Sequence, residues 1–458
     1  MSAMFDYCVA SCSGEGQQKN DGGPTTVSTS HNTPFDGHVL VLSEFGKPIF
    51  SSYGNEDELC TVFALISVIV RRFHSLAFGE EEAGETQKDS LLSIQTANRD
   101  FQFLYRSPLI LCLISKQPWN LSVQLDTIYN QIISMFSRQM LKGYYAKRGY
   151  NFDIRTLFDG IDKRIDACAK GFNEDPVVLY GFRILPLHQA DRDFLVQTMG
   201  TVINELCPNI IAFGLLIAHR QLVTLVRMKK LNLDAPDFNT IVNLIECHKT
   251  NLMQGDHQVP ICLPKFNQNS FLYAYISHLW DGTGPCMVLL SVAKEAVQQM
   301  SKVRPRLEEA LDAYKRSGPL KEALQQPEGF TLKNLHCGPL LWHFMYKNIS
   351  NAQDPTQVCC STPKKPLISR DELNNLYNAY AKLADLLRKG RGGIKQIFVM
   401  LERHSIFAWI TPGFELFCAF NPLVSKKEVV EAADRLLRLL RKEEKKVLFS
   451  SNPSVLIG

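Results

Sequence analysis

No stretch of this 458-residue chain is apolar for long enough to cross a bilayer. The longest runs, Val62 to Val70 and Ile210 to Ala218, stop at Arg71-Arg72 and His219-Arg220, whereas a spanning helix needs about 20 apolar residues. The first residues, Met1-Ser2-Ala3-Met4-Phe5-Asp6, lack the basic start and long apolar stretch of a secretory signal. The expected setting is therefore the cytosol or a membrane surface facing it. A dominant charge is missing too. Lys and Arg number 50 against 46 Asp and Glu, a formal net charge of +4, which is too mild to imply nucleic-acid binding without a localised patch. Catalytic signatures are also lacking: there is no G-x-x-x-x-G-K-[ST], no G-x-G-x-x-G, no H-E-x-x-H and no G-x-S-x-G. Gly46-Lys47 runs into Pro48 and has neither the first glycine nor the hydroxyl residue of a phosphate loop.

Cysteine is not scarce. The 13 cysteines sit largely inside apolar runs, as Cys112 does in Leu111-Cys112-Leu113, and read as reduced, buried thiols. The Asn120 and Asn348 sequons then carry no glycan, because glycosylation needs a secretory route. Cys247, His248, His257 and Cys262 have the right types for zinc, but their spacing is not that of a standard finger. His336, Cys337 and His343 are a weaker set. Buried thiols with surface histidines are the preferred reading, and no cofactor or metal is expected.

The order of elements carries more. Residues 1–35 are poor in large apolar side chains and read as a disordered tail. Val39 to Leu42 and Pro48 to Tyr53 read as a hairpin about Gly46, followed by a buried helix capped by Asn55 and Glu58. A charged loop, Glu80 to Lys88, comes next. Strands follow at Leu91 to Thr96, Phe101 to Tyr105 and Leu109 to Ile114. A helix is then expected from Asn120 to Met140, and another, capped by Asp153, carries Leu157, Ile161 and Ile165. The order recurs from Ile210: a hairpin, a helix from Asp237 to Cys247, strands at 261–266, 271–278 and 286–292, and a charged helix from Lys294 to Arg316 broken at Pro305. It recurs again from Leu340, with strands to 346 and 357–361, a helix from Arg370 to Lys389, three strands between 397 and 420, and a helix from Lys426 to Lys446. Consecutive strands with short turns pair antiparallel. Each unit is thus an antiparallel sheet of about five strands covered by helices, an α+β fold. Length alone suggests roughly three domains. The repeats place them at 36–200, 201–330 and 331–458.

Basic groups are short: Lys364-Lys365 between two prolines, Arg388 to Arg391, and Arg438 to Lys446. A solvated polar face is the commoner meaning of such runs. An anionic membrane surface is the alternative, with Lys364, Lys365, Lys445 and Lys446 as the candidates. No aromatic pattern interleaves them, which argues against single-stranded nucleic acid.

Several blocks go beyond these patterns. The segment Leu42-Ser43-Glu44-Phe45-Gly46-Lys47-Pro48-Ile49-Phe50-Ser51-Ser52-Tyr53-Gly54 closely resembles the opening motif of the SAND family, also called the Mon-one vacuolar fusion proteins. Tyr105-Arg106-Ser107-Pro108-Leu109-Ile110-Leu111 resembles a second family block, and Cys262-Leu263-Pro264-Lys265-Phe266-Asn267 a third. Gly413-Phe414-Glu415-Leu416 and Arg441-Lys442-Glu443-Glu444 are similar to C-terminal blocks. Phe45 stands where a small residue is usual, and Ser52 where Arg is.

The resemblance implies three longin-like domains and a heterodimer with a Ccz-one-like longin protein, with a possible third regulatory subunit. It implies a guanine nucleotide exchange factor, without covalent chemistry, for the late endosomal Rab-seven GTPase. Recruitment to endosome, late endosome or vacuole and lysosome membranes would be by Rab-five and anionic phosphoinositides, serving endosome conversion, vacuole fusion and autophagy. The polar block Ser43, Glu44, Lys47, Pro48, Ser52 and Tyr53 is the candidate GTPase- or partner-binding surface. The alternative is a longin scaffold or tether that binds Rab GTPases without exchanging their nucleotide. A zinc-dependent enzyme is a third and weaker reading.

Overall fold

Residues that alternate along a strand face opposite sides of its sheet, and in the central strands of this chain both sides are buried. The structure, a computed structural model, describes residues 37–456 apart from 55, 79–89, 98, 116–119, 150–151, 158–159, 175–176, 178–179, 230, 248–254, 281–283, 326–339, 350–356, 390–392 and 444–453. The expected tail, the Asn55 cap, the Glu80–Lys88 loop, His248, His336, Cys337, Lys445 and Lys446 lie outside the described residues. Two compact units are distinguished: 1–132 with 138–170, and 133–137 with 171–458.

The first unit is built on β1 (Gly37–Ser43), β2 (Pro48–Ser51), β3 (Ser93–Gln95), β4 (Asp100–Arg106) and β5 (Leu109–Ser115), in the order β2-β1-β5-β4-β3. All neighbours are antiparallel, and β1 meets β5 from Gly37↔Ser115 to Ser43↔Leu109. Helix α1 (Glu56–Phe78) presents Leu59, Val62, Phe63, Ile66 and Val70, spaced for one face of a helix. They pack on Leu40, Leu42, Ile110, Cys112 and Ile114. The intervening Val39, Val41, Leu111 and Leu113 are buried as well.

The long helix expected from Asn120 to Met140 is two helices, α2 (Leu121–Phe136) and α3 (Arg138–Arg148). Ser137 between them takes a left-handed backbone, φ 55°, which ends one helix and starts the next. Asp153 does cap, its carboxylate accepting from the Arg155 N–H at 3.0 Å. What it caps is a single 3-10 turn, Ile154–Leu157; α4 (Ile161–Glu174) begins after Gly160 at φ 90°.

Two further sheets lie in the second unit. Its chain runs β6 (Phe182–Arg183), α5 (Gln189–Leu206), β7 (Ile211–Ala218), β8 (Gln221–Met228), α6 (Ala235–Cys247), β9 (His257–Leu263), β10 (Gln268–His278) and β11 (Cys286–Ser291). It continues through α7 (Val303–Asp312), α8 (Ser317–Gln325), β12 (Leu341–Asn348), β13 (Gln357–Cys360), α9 (Arg370–Lys389), β14 (Gln396–Met400), β15 (Ser405–Ile410), β16 (Phe414–Phe420), α10 (Lys426–Glu443) and β17 (Ser454–Leu456). The sheet orders are β17-β8-β7-β11-β10-β9 and β14-β15-β16-β12-β13-β6.

One apolar core holds residues of both sheets and of their helices, among them Phe213, Ile241 and Ile276 with Phe344, Leu416 and Leu436. A short segment stitches the two. Phe182 and Arg183 pair with Gln357 and Val358 of β13, and Ile184 bridges to Leu222 of β8. The break expected at Pro305 falls just before it, at Ser301 and Lys302, which separate a short helical piece, residues 294–300, from α7. Pro305 is the third residue of α7, in the first turn, where its missing N–H costs no hydrogen bond. The limit expected at residue 200 falls inside α5, whose Leu195, Met199, Val202 and Ile203 are buried on the second sheet. Among the described residues, no helix is long and apolar enough to cross a membrane.

Phe182 has no exposed surface and meets Phe238 edge-on at 4.7 Å. Phe182→Ala is expected to cost about 3–5 kcal/mol, read as a lower denaturant midpoint for the second unit. A loss under about 1 kcal/mol would mean that this stitch is not part of the core's stability.

Candidate functional site

The candidate site is the β1–β2 hairpin, and its tip is a tight turn held by a buried hydroxyl. Ser43 ends β1 with no exposed surface. Its Oγ accepts from the Lys47 N–H at 3.1 Å, and its own N–H donates to the Lys47 carbonyl at 2.9 Å. Gly46 donates back to the Ser43 carbonyl at 2.9 Å. Only glycine suits position 46. Its φ is 86°, and a Cβ there would lie 2.9 Å from Ser67 Oγ and 3.5 Å from the Ala64 Cα of α1. The turn therefore rests directly on α1. Phe45 points outward, 37% exposed, with the Arg71 guanidinium 4.8 Å above its ring. The bulky residue at this position makes a cation–π contact that a small one could not.

Glu44 faces the other way. Its N–H donates to the Pro108 carbonyl at 2.9 Å, and its carboxylate accepts from Ser107 Oγ at 2.9 Å and Tyr105 OH at 3.2 Å. Burial first, and then this carboxylate, push the Tyr105 hydroxyl up to about 12. The His74 ring meets Tyr105 edge-on at 4.8 Å. The Tyr105–Leu111 block and the hairpin block, far apart in the chain, are thus in contact through one carboxylate.

Lys47 Nζ stands 3.8 Å from Asp153 Oδ2. Asp153 is gripped mainly by Arg155, whose guanidinium donates at 2.7 Å to Oδ2 and at 3.0 Å to Oδ1. That hydrogen bonding holds the Asp153 carboxyl below its usual range.

Pro48 opens β2 beside the turn, paired with Leu42, and Ser52 and Tyr53 follow at the base of the hairpin. The Ser52 N–H donates to the Val39 carbonyl at 3.0 Å, and its Oγ accepts from the Val39 N–H at 2.8 Å. Tyr53 meets the His38 ring edge-on at 5.4 Å. Ser51 Oγ donates to the Tyr53 carbonyl at 2.6 Å, so its bond of 2.9 Å to His38 Nε2 is one that Nε2–H donates. Burial is the main reason that His38 is pushed down to about 4.

The six candidate residues are gathered in one hairpin, but they do different things. Ser43 and Ser52 spend their hydroxyls on its backbone, and Glu44 on its neighbour. Lys47 keeps an ammonium at the surface beside Asp153. Sequence reasoning missed Asp153, Tyr105 and Ser107 as neighbours of the block, although the Tyr105–Leu111 block was itself a signal.

The membrane candidates lie elsewhere. Lys365 is exposed and Lys364 half-buried, in the segment after β13. Cys262 Sγ donates to the Asn267 carbonyl at 3.3 Å, and Cys247 lies 3.9 Å from Asn243 Oδ1. His343 is fully buried between Tyr380 OH at 3.1 Å and Tyr377 OH at 3.3 Å, and burial pushes it down to about 3. Among the described residues, no three His, Cys, Asp or Glu side chains form a group able to hold a metal ion.

Comparison with known proteins places this arrangement. Residues 37–168, 210–308 and 340–444 match, in turn, the first, second and third longin domain of FUZ, MON1 and HPS1. A curated relative, vacuolar fusion protein MON1 homolog A of Homo sapiens, is 31% identical over 411 residues, 89% of this chain and 60% of that protein. Protein SAND of Takifugu rubripes is 30% identical over 420 residues, covering 90% and 76%. The chain belongs to the MON1/SAND family. MON1 of Yarrowia lipolytica is 29% identical over 396 residues, 84% of this chain and 69% of that one. A Roadblock/LC7 domain from Streptomyces avermitilis covers 23% of this chain and 87% of its own at 15% identity, with a TM-score of 0.16, too slight a likeness to carry an argument. In this chain the three longin matches fall on the three sheets and their helices, antiparallel apart from the parallel edge strands β6 and β17, and the hairpin opens the first of them.

Two measurements check how the hairpin is held. Ser43→Ala leaves the Lys47 N–H without its buried acceptor, an expected cost of about 1–3 kcal/mol in denaturant unfolding; an unchanged midpoint would show that the hydroxyl is dispensable. For His38, with a folded value of about 4 against 6.5 unfolded, the unfolded chain takes up the proton first. The stability present above 6.5 is then lost as pH falls toward 4. The midpoint should fall more steeply between pH 7 and pH 5 in the wild type than in His38→Gln; equal slopes would refute this assignment.

Proposed function

We propose that this chain is one subunit of a heterodimeric guanine nucleotide exchange factor for the late endosomal Rab-seven GTPase, paired with a Ccz-one-like longin protein. Membership of the MON1 family across three longin domains carries the reading. The vacuolar fusion named for its relatives agrees with the role proposed here: conversion of early to late endosomes and fusion with vacuole, lysosome or autophagosome. In this reading Rab-five and anionic phosphoinositides recruit the complex to the endosomal surface, and a third, regulatory subunit joins it.

Exchange of this kind makes and breaks no covalent bond. The factor binds the nucleotide-free GTPase more tightly than the loaded one, and by linkage the nucleotide is then held more weakly by the same factor. Each tenfold weakening requires about 1.4 kcal/mol of contacts made only in the open state. Such contacts hold a switch segment away from the nucleotide and its Mg²⁺, a task for a rigid surface. The β1–β2 hairpin is our candidate for that surface. Its turn is pinned to α1 through Gly46 and to the β4–β5 turn through Glu44, so Phe45, Lys47, Pro48 and Tyr53 are held in fixed places.

The test is release of mant-GDP from Rab-seven by the purified heterodimer. Strong acceleration is expected, with Lys47→Glu combined with Tyr53→Ala slowing it at least tenfold. Wild-type exchange by the double variant would put the site elsewhere. No acceleration by the wild-type dimer would favour a scaffold that binds Rab GTPases without exchange.

A further inference from the structure

Four serine or threonine residues of this chain precede a proline: Thr33, Ser107, Thr362 and Thr411. Thr33 lies outside the described residues. Ser107 gives its hydroxyl to Glu44 at 2.9 Å. Thr411 is tied into its own turn, its Oγ1 donating to the Phe414 carbonyl and accepting from the Phe414 N–H, each at 3.2 Å. Thr362 differs from these. It is exposed, and among the described residues its hydroxyl has no hydrogen-bond partner. It is also the one of the four followed by cations, in Thr362-Pro363-Lys364-Lys365.

The backbone here suits a modifying enzyme. Residues 361–364 carry on past β13 without helix or turn. They are tied to β12 on one side, Ser361 N–H donating to the Phe344 carbonyl at 3.1 Å and Lys364 N–H to the Trp342 carbonyl at 3.0 Å. On the other side the partner strand β6 pairs only with Gln357 and Val358. Ser361 is buried and Thr362 faces out. An exposed hydroxyl on an extended segment, with proline next and an exposed lysine third after it, is what a proline-directed protein kinase with a preference for a basic residue at that place accepts.

We infer that Thr362 is a phosphorylation site, and that its phosphate switches off the positive charge of Lys364 and Lys365. In the reaction Thr362 Oγ1 attacks the γ-phosphorus of ATP. The bond from that phosphorus to the β–γ bridging oxygen breaks, ADP leaves, and the hydroxyl proton passes to the kinase's base. The phosphate adds about −1.5 to −2 charges at neutral pH, offsetting the two lysines beside it. Basic groups hold a protein to anionic lipid, and phosphorylation among them releases it. The modification stands on the exposure and sequence of Thr362 alone. Its consequence rests on the reading of Lys364 and Lys365 as membrane-facing.

The experiment treats the purified heterodimer, with full-length chains, with a proline-directed kinase and ATP, maps phosphate by mass spectrometry, and measures sedimentation with phosphatidylcholine vesicles containing phosphatidylserine and phosphatidylinositol 3-phosphate. Phosphate is expected on Thr362. It should be lost in Thr362→Ala and kept in Thr411→Ala. The phosphorylated protein and Thr362→Glu should bind vesicles at least tenfold more weakly. Lys364→Gln with Lys365→Gln should weaken binding in the same way, and phosphorylation should then add little. No phosphate on Thr362, under conditions where a free peptide of residues 358–368 is modified, overturns the site. Phosphate on Thr362 with unchanged vesicle binding overturns the switch. Failure of the unmodified heterodimer to bind vesicles overturns the membrane reading and the switch with it, while the phosphate map still decides the site.

Discussion

The strands at the centre of each sheet are buried on both faces, and most of the architecture follows from that. Every residue of β5, β7, β11 and β16 is buried. A strand in that position needs a hydrogen-bonding neighbour along each edge and an apolar layer on each side. The neighbours come from adjacent hairpins, and the layers from amphipathic helices. In the second unit the requirement reaches further. The second and third sheets share one apolar core, and Phe182 to Leu185 serve first as an edge of one and then as a partner of the other.

The same constraint shapes the hairpin that opens the first sheet. β1 pairs along its whole length with β5, so its end at Ser43 is delivered beside the β4–β5 turn at Pro108. From there the chain must reverse against α1, and Gly46 is where it passes closest. The polar side chains of the turn are drawn inward to satisfy backbone groups that the core would leave without water. Ser43 and Ser52 are polar residues of that kind, Glu44 engages the hydroxyls of Ser107 and Tyr105, and these hydrogen bonds make the hairpin rigid.

Much of this could be read from the chain before its fold. Strand and helix periodicity located the three sheets, because alternation and helical spacing are local signals. The hairpin was found as a polar block between apolar strands. What could not be read locally was long-range or short. β6 and β17 are two and three residues long, below any periodic signal. The turn at Ser137 is a backbone event without a glycine or proline to mark it. The break signalled by Pro305 lies at Ser301 and Lys302 instead, because proline ends a helix interior but is tolerated in the first turn of the next helix. α5 was missed although Leu195, Met199, Val202 and Ile203 carry a helical spacing. The partnership of Lys47 with Asp153 joins residues more than a hundred positions apart, and nothing in either segment announces the other.

A surface that acts by differential binding has to be stiff, since each group ordered only on contact subtracts from the free energy available to favour one state of the partner. The hairpin meets that condition through the very residues that first looked like contact groups. Its hydroxyls and its carboxylate are engaged within the domain, so they set the shape of the tip and are poor candidates for meeting a partner. What remains outward is a phenylalanine braced by Arg71 and an ammonium 3.8 Å from Asp153, while the Tyr53 hydroxyl is buried and its ring sits on His38. The pair of Lys47 with Asp153 matters most. Asp153 is already satisfied by Arg155, so a partner's carboxylate could draw Lys47 away without leaving a buried charge unpaired. Of the six residues in the block, Lys47 is therefore the one whose departure from its ion pair would leave Asp153 still bound, by Arg155.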